Sequence, residues 1–167
     1  GGSMYLDWYY PQELPLKAAR GRKPGYKAFG YYGDMPKLNL QNRAAADYII
    51  DVAVYWVREC GIDGWRLDVG DEISHTFWKR FRREIKAVKE DALIVGEIWH
   101  FAGDFLAGDE WDSVMNYPFY YAVLELAASQ TMGASAFMDR LGFMRGNLNR
   151  ALDGYLWNFI DSHDTAR

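Results

Sequence analysis

Short apolar segments that close on an acid alternate with helical stretches along this chain, and that alternation constrains the fold more than any other feature. Ile62 to Val69, Leu93 to Ile98, Trp111 to Asn116 and Tyr155 to Asp161 read as strands. Asp68 closes the first, Glu97 closes the second, and Asp164 follows the fourth. Ahead of the first strand, Asn42 is placed to cap a helix carrying Tyr48, Ile49, Val52, Trp56, Val57 and Cys60 at helical spacing. Gly61 then stands where a helix-terminating glycine belongs. Ser74 caps a second helix with Phe77, Trp78, Phe81, Ile85 and Val88 on one face. Phe119 to Arg150 reads as mostly helical, broken near Thr131 to Gly133. Strands separated by helices pair in parallel beneath helical cover, an α/β fold. Residues 1–41 differ, because Pro11, Pro15, Pro24 and Pro36 interrupt a Tyr- and Gly-rich stretch without period. They read as an irregular loop subdomain ahead of an α/β unit over 42–167.

Composition narrows the function classes. A chain of 167 residues that is 50% hydrophobic with net charge −4 has the material for a packed core and is not disordered. Basic residues cluster no further than Lys79-Arg80 and Arg82-Arg83, so no nucleic-acid partner is expected. No apolar run approaches the roughly 20 residues that span a bilayer, so no membrane partner is expected either. The single cysteine, Cys60, forms no internal disulfide. The three histidines fall on separate elements without His-x-His or His-Glu-x-x-His spacing, which disfavours a metal-dependent hydrolase.

The strand-end acids carry the chemistry. In parallel α/β folds the ligand crevice lies at the carboxyl ends of the strands, where Asp68, Glu97 and Asp164 converge. Strand alternation puts Arg66 on the same face as Asp68, one pleat below it, where its charge favours the ionised carboxylate. Leu93, Val95 and Glu97 share a face, so Glu97 ends an apolar row whose desolvation favours its protonated form. An anion beside an acid is what glycoside hydrolysis requires, although strand-end acids also occur in metal-dependent barrels and Asp–Arg pairs are often structural.

Gly64-Trp65-Arg66-Leu67-Asp68, Val95-Gly96-Glu97-Ile98-Trp99-His100 and Ser162-His163-Asp164 occur in that order. They resemble the second, third and fourth signature regions of the α-amylase family, glycoside hydrolase family 13. Met35-Pro36-Lys37-Leu38-Asn39 resembles a further motif of its neopullulanase, cyclomaltodextrinase and maltogenic amylase group. The resemblance implies a partial (β/α)8 TIM barrel, about strands four to seven. It implies Asp68 as nucleophile, Glu97 as general acid/base and Asp164 as a binder of sugar hydroxyls. Arg66 would orient Asp68, His163 would hydrogen-bond the sugar, and Glu72, Ile98, Trp99 and His100 would line the acceptor side. The implied reaction is retaining hydrolysis and transglycosylation of α-1,4 and α-1,6 glucosidic bonds in cyclodextrins, pullulan, starch or maltooligosaccharides. No cofactor is implied for these residues; calcium occurs in parts of the family, with ligands largely from segments outside this sequence.

A whole barrel of this kind takes about 250 residues. The chain is therefore expected to act as a segment of a longer enzyme, or to pair with another copy or with the remaining barrel. The alternative is a non-catalytic carbohydrate-binding or interaction module of the same fold. The group motif leans toward a cytoplasmic location, by resemblance only. Trp56, Trp78 and Phe81 are expected in the helix core, and Lys79 to Arg83 on a solvated helix face. His75 reads equally as an acceptor-side or a structural residue, and Trp8, Tyr9, Tyr10, Tyr31 and Tyr32 as a substrate wall or as packing.

Overall fold

The structure, a computed structural model, describes residues 3–11, 25–29, 34–148, 152 and 154–165. Expectations placed on Pro15, Pro24, Tyr31, Tyr32 and Asn149-Arg150 lie outside the described residues.

Three parallel strands form the sheet in sequence order: β1 (Gly64–Leu67), β2 (Leu93–Gly96) and β3 (Ser113–Val114). Helix α1 (Arg43–Cys60) precedes β1, α2 (His75–Val88) connects β1 to β2, and α3 (Tyr117–Val123) follows β3. A π-helical turn, Leu124–Ala128, continues α3, and α4 (Ala134–Gly146) resumes after the expected break. The signals read from the sequence act as capping chemistry. Asn42 Oδ1 accepts from the backbone N–H groups of Ala44 and Ala45, Ser74 Oγ accepts from Phe77 N–H, and Gly61 takes the left-handed φ of 65° that ends α1.

Register pairs Arg66 with Val95 and Val95 with Ser113, so these side chains share one sheet face. Leu67, Ile94 and Val114 belong to the core beneath the helices. That core is completed by Ile50, Ala53 and Val57 of α1 and by Phe77, Trp78, Phe81 and Ile85 of α2. The buried stripe of α1 is thus Ala46, Ile50, Ala53 and Val57, and the small alanines let α1 pack closely on α2. Trp56 is the correction: at 45% exposure it lies off this stripe, edge-on to Tyr55. Trp78 and Phe81 are buried as expected.

The other departures also have physical causes. The segment expected as a fourth strand makes a single parallel bridge, Met115 to Trp157, and no ladder. Pairing is confined to Trp157, whose N–H donates to Val114 O and whose carbonyl accepts from Asn116 N–H, and the next contact is between side chains, Asn116 to Asn158. The basic residues of α2 do not simply face water. Lys79 pairs with Asp109, Arg80 with Asp47, and Arg82 with Asp112, clamping the helix to its neighbours. In the first segment, Trp8 packs against Tyr5 and the Tyr48 ring of α1, which favours packing over a substrate wall. Among the described residues no helix is long and apolar enough to cross a membrane.

Candidate active site

β1 and β2 end side by side, and their next residues hold Asp68 and Glu97 together. Leu67 O accepts from Glu97 N–H at 2.9 Å, and Glu97 O accepts from Gly70 N–H at 3.0 Å. Between these bonds Val69 adopts φ 45°, ψ 47°, a left-handed conformation that a β-branched residue reaches only under strain. The turn aims Val69 N–H at Glu97 Oε2, 2.8 Å away.

Packing beneath the turn is set by Trp111, which is 1% exposed and stacked on Phe105 at 4.1 Å between centroids. A Cβ on Gly70 would meet this indole at 2.6 Å, and one on Gly96 would fall inside it. The turn after β1 and the end of β2 therefore need glycine at the point where they cross the ring. From the sequence, Trp111 was legible only as the first residue of a strand.

Glu97 is 3% exposed, and both its oxygens are engaged. Oε2 accepts from Val69 N–H and lies 3.1 Å from Arg66 Nη2, while Oε1 accepts from the Trp99 indole N–H at 2.9 Å. Arg66 also binds Asp68 through Nη1 and approaches Asp164 Oδ2 at 3.9 Å. The sequence placed Arg66 beside Asp68; the structure adds the two other acids. Asp68 is the open member, its side chain 70% exposed. His163 Nε2 lies 3.1 Å from Asp164 Oδ2.

The expected acceptor-side residues divide. Trp99 is half-exposed, with its ring stacked on Tyr117 at 4.8 Å and an interplanar angle of 14°. His100 is exposed and pairs with Asp71 at 3.2 Å, and Glu72 pairs with Lys37 at 3.0 Å. Ile98 is a correction, because at 1% exposure its side chain is part of the hydrophobic core. Strand alternation explains this, since Ile98 follows Glu97 and points to the opposite, helix-covered face. Tyr117, fully buried beside the site, is a residue sequence reasoning missed. Burial raises its phenol above the ordinary value, Ser162 opposes this, and the charges of Glu97 and Asp164 add to it, so the phenol stays neutral.

His75 also stands clear of the acids. Its Nδ1 lies 2.9 Å from both carboxyl oxygens of buried Glu110, and its ring stacks on Phe105 at 4.4 Å. These contacts favour the structural reading. Among the described residues no three His, Cys, Asp or Glu side chains group so as to hold a metal ion.

A parallel sheet whose first two strands run out at Asp68 and Glu97, with Asp164 drawn up beside them, defines the class, an α/β protein whose site faces the carboxyl ends of its strands. Comparison with known proteins makes the class specific. Residues 25–167 match the family described as alpha amylase, catalytic domain. A cyclomaltodextrinase from a Bacillus species is 45% identical over 165 residues, covering 99% of this chain and 29% of that protein. The intracellular maltogenic amylase of Bacillus subtilis (strain 168) is 42% identical over 165 residues, covering 99% of this chain and 27% of that protein. Among solved structures, the cyclic α-maltosyl-(1→6)-maltose hydrolase from Arthrobacter globiformis, in complex with that cyclic sugar, superposes with a TM-score of 0.92. It is 34% identical, and the match covers 99% of this chain and 37% of that one. The chain belongs to the α-amylase family, and its fold is a partial (β/α)8 barrel. It spans less than a third of the length of the two curated relatives.

Proposed function

We propose that this chain carries the catalytic carboxyl groups of a retaining glycoside hydrolase acting on α-glucans, as a segment of a longer enzyme. One observation carries the reading: the guanidinium of Arg66 faces Asp68, Glu97 and Asp164 together. A single cation can serve three carboxyl groups only if they surround one small volume, the requirement for a pair of carboxyls flanking a glycosidic bond.

Asp68, exposed and paired with Arg66, is the nucleophile. Its oxygen bonds the anomeric carbon as the C–O bond to the leaving group breaks, and Glu97 gives its proton to the leaving oxygen. Water, or a sugar hydroxyl in transglycosylation, then attacks the anomeric carbon, returns a proton to Glu97 and releases Asp68. Asp164 and His163 bind sugar hydroxyls at the cleavage point. Trp99 offers a half-exposed ring to the acceptor sugar, with Glu72 and His100 at the rim.

The substrates are α-1,4 and α-1,6 linked glucans such as cyclodextrins, pullulan, starch or maltooligosaccharides. The cyclomaltodextrinase relative and the hydrolase solved with a cyclic maltosyl-maltose support this class. The intracellular maltogenic amylase relative supports a cytoplasmic location. Among the described residues β1 has a strand partner on one side only, which supports completion by further barrel strands.

The test uses the protein that carries this chain. Asp68→Asn should lower cyclodextrin turnover on the order of 10⁴-fold or more. Glu97→Gln treated with an α-maltosyl fluoride should accumulate a maltosyl adduct on the Asp68 peptide, read by mass spectrometry. Unchanged turnover in the Asp68→Asn protein would overturn the reading in favour of a carbohydrate-binding module.

A further inference from the structure

Trp111 touches no reacting group, yet the chain on either side of the two catalytic carboxyls rests on its ring. The Cζ2 and Cη2 edge of the indole faces Gly70, and the Cε3 and Cζ3 edge faces Gly96. All four atoms belong to the six-membered ring, the part of the side chain farthest from its own backbone. A phenyl ring on the same Cβ falls short of them. The side chain is held by ring packing: Phe105 stacks on it at 4.1 Å with an interplanar angle of 7°, and Trp78 meets it edge-on at 5.9 Å. The His75 ring covers Phe105 in turn, and His75 is bound by Glu110, the residue before Trp111, so the stack closes on itself. Among the described residues the buried indole N–H has no hydrogen-bond partner. An orphaned donor costs free energy that a phenylalanine would not, so the indole serves here through its reach and not through a hydrogen bond.

Asp68 and Glu97 depend on this support unequally. Asp68 is exposed and takes its place from Arg66. Glu97 is buried, and its backbone is tied to the indole at both ends. It follows Gly96 directly, and its carbonyl accepts from Gly70 N–H at 3.0 Å. Withdrawal of the ring therefore frees Glu97 to shift against Asp68.

We propose that Trp111 is a positioning residue: by supporting Gly96 and Gly70 it holds Glu97 where its proton reaches the leaving oxygen. This rests on the functional reading above. In the affected step the bond between the anomeric carbon and the leaving group breaks as an Asp68 oxygen bonds that carbon. A sugar leaving group takes the proton of Glu97 onto its glycosidic oxygen. Fluoride leaves as the anion and needs no proton. Loss of the indole thus costs substrates with a sugar leaving group more than it costs a glycosyl fluoride.

The experiment compares kcat/KM for maltotriose and for α-maltosyl fluoride in the protein that carries this chain, since kcat/KM reports the step in which the leaving group departs. Trp111→Leu should lower the maltotriose value about tenfold to hundredfold and the fluoride value no more than about threefold. Trp111→Phe should change the ratio in the same direction by less. A merely structural role reduces the amount of folded enzyme and lowers both values equally, so the ratio separates the two. If Trp111→Leu does not fold, Trp111→Phe and Gly96→Ala, which disturb the same contact from its two sides, carry the test with the same expected direction. Equal falls on both substrates, or an unchanged maltotriose value, in a folded variant while Asp68→Asn remains inactive on both, overturn the positioning role and leave the functional reading standing. Turnover that does not depend on Asp68 overturns that reading, and this proposal with it.

Discussion

Arg66 Nη2 lies 3.1 Å from Glu97 Oε2 while Nη1 of the same guanidinium binds Asp68. The planar fork spans two carboxyls, and hydrogen bonds from the Val69 backbone and the Trp99 indole hold Glu97 from the other side. Arg66→Lys keeps the charge but offers one point in place of a fork, and it should lower turnover about 10²-fold. Arg66→Met leaves buried Glu97 facing an apolar group and should cost about 3 kcal/mol of stability as well. Chemical denaturation and cyclodextrin kinetics on both variants check this; parental turnover in Arg66→Lys would show that the fork geometry is irrelevant.

The crossing of Gly96 and Gly70 over Trp111 predicts a non-additive pair. Gly96→Ala should destabilise by about 2–3 kcal/mol, because the added methyl overlaps the indole ring. Trp111→Leu alone should cost about 3 kcal/mol through the cavity it opens. Combined, the two should cost clearly less than their sum, since the smaller side chain makes room for the methyl. A double-mutant cycle by denaturant melts decides it, and simple additivity would contradict the packing described.

Glu110 and Asp112 predict opposite pH slopes. Burial pushes the Glu110 carboxyl up, against the hydrogen bond and charge of His75. A raised carboxyl holds its proton more tightly in the folded state. Its effect on stability is therefore unfavourable as pH rises from the ordinary value of ~4.3 through the raised one. At Asp112 burial also pushes up, but hydrogen bonds from Lys86 and Arg82 outweigh it and hold the carboxyl low. Its contribution is complete above the ordinary carboxylate value and is lost as pH falls through the lowered one. Melting temperatures from about pH 3 to about pH 8 should show Glu110→Gln removing the first loss and Asp112→Asn the second.

The ends of α1 predict two small, separable losses. Asn42→Ala removes the acceptor of the Ala44 and Ala45 N–H groups and should cost about 1 kcal/mol. Gly61→Ala must adopt φ near 65° with a Cβ and should cost about 1 kcal/mol. Among the described residues beyond its chain neighbours, no atom lies within 4 Å of that Cβ, so a larger loss would point to something other than backbone strain.

Local chemistry was legible from the sequence because it acts over a few residues. Asn42, Ser74 and Gly61 perform at helix ends as their types require, and the period-two alternation of β1 puts Arg66 beside Asp68. Helical spacing misplaced Trp56, and the family resemblance placed Ile98 at the acceptor side where the structure buries it. An amphipathic helix admits several apolar stripes, and only the approach of α2 selected the one through Ala46 and Ala53. Ile98 was assigned with its neighbours Trp99 and His100, but a strand turns successive side chains to opposite faces, and this one points into the core.

The sequence by itself determined the order of the helices and the first three strands, the α/β class and the acids Asp68 and Glu97 that follow β1 and β2, because each depends on short-range periodicity and residue type. Tertiary structure alone decided that Arg66 reaches Glu97 and Asp164, that Trp111 underlies Gly70 and Gly96, and that Lys37 grips Glu72. Those partners are separated by 15 to 98 positions along the chain. Contacts at such separation follow from strand register and helix packing, which no local pattern encodes.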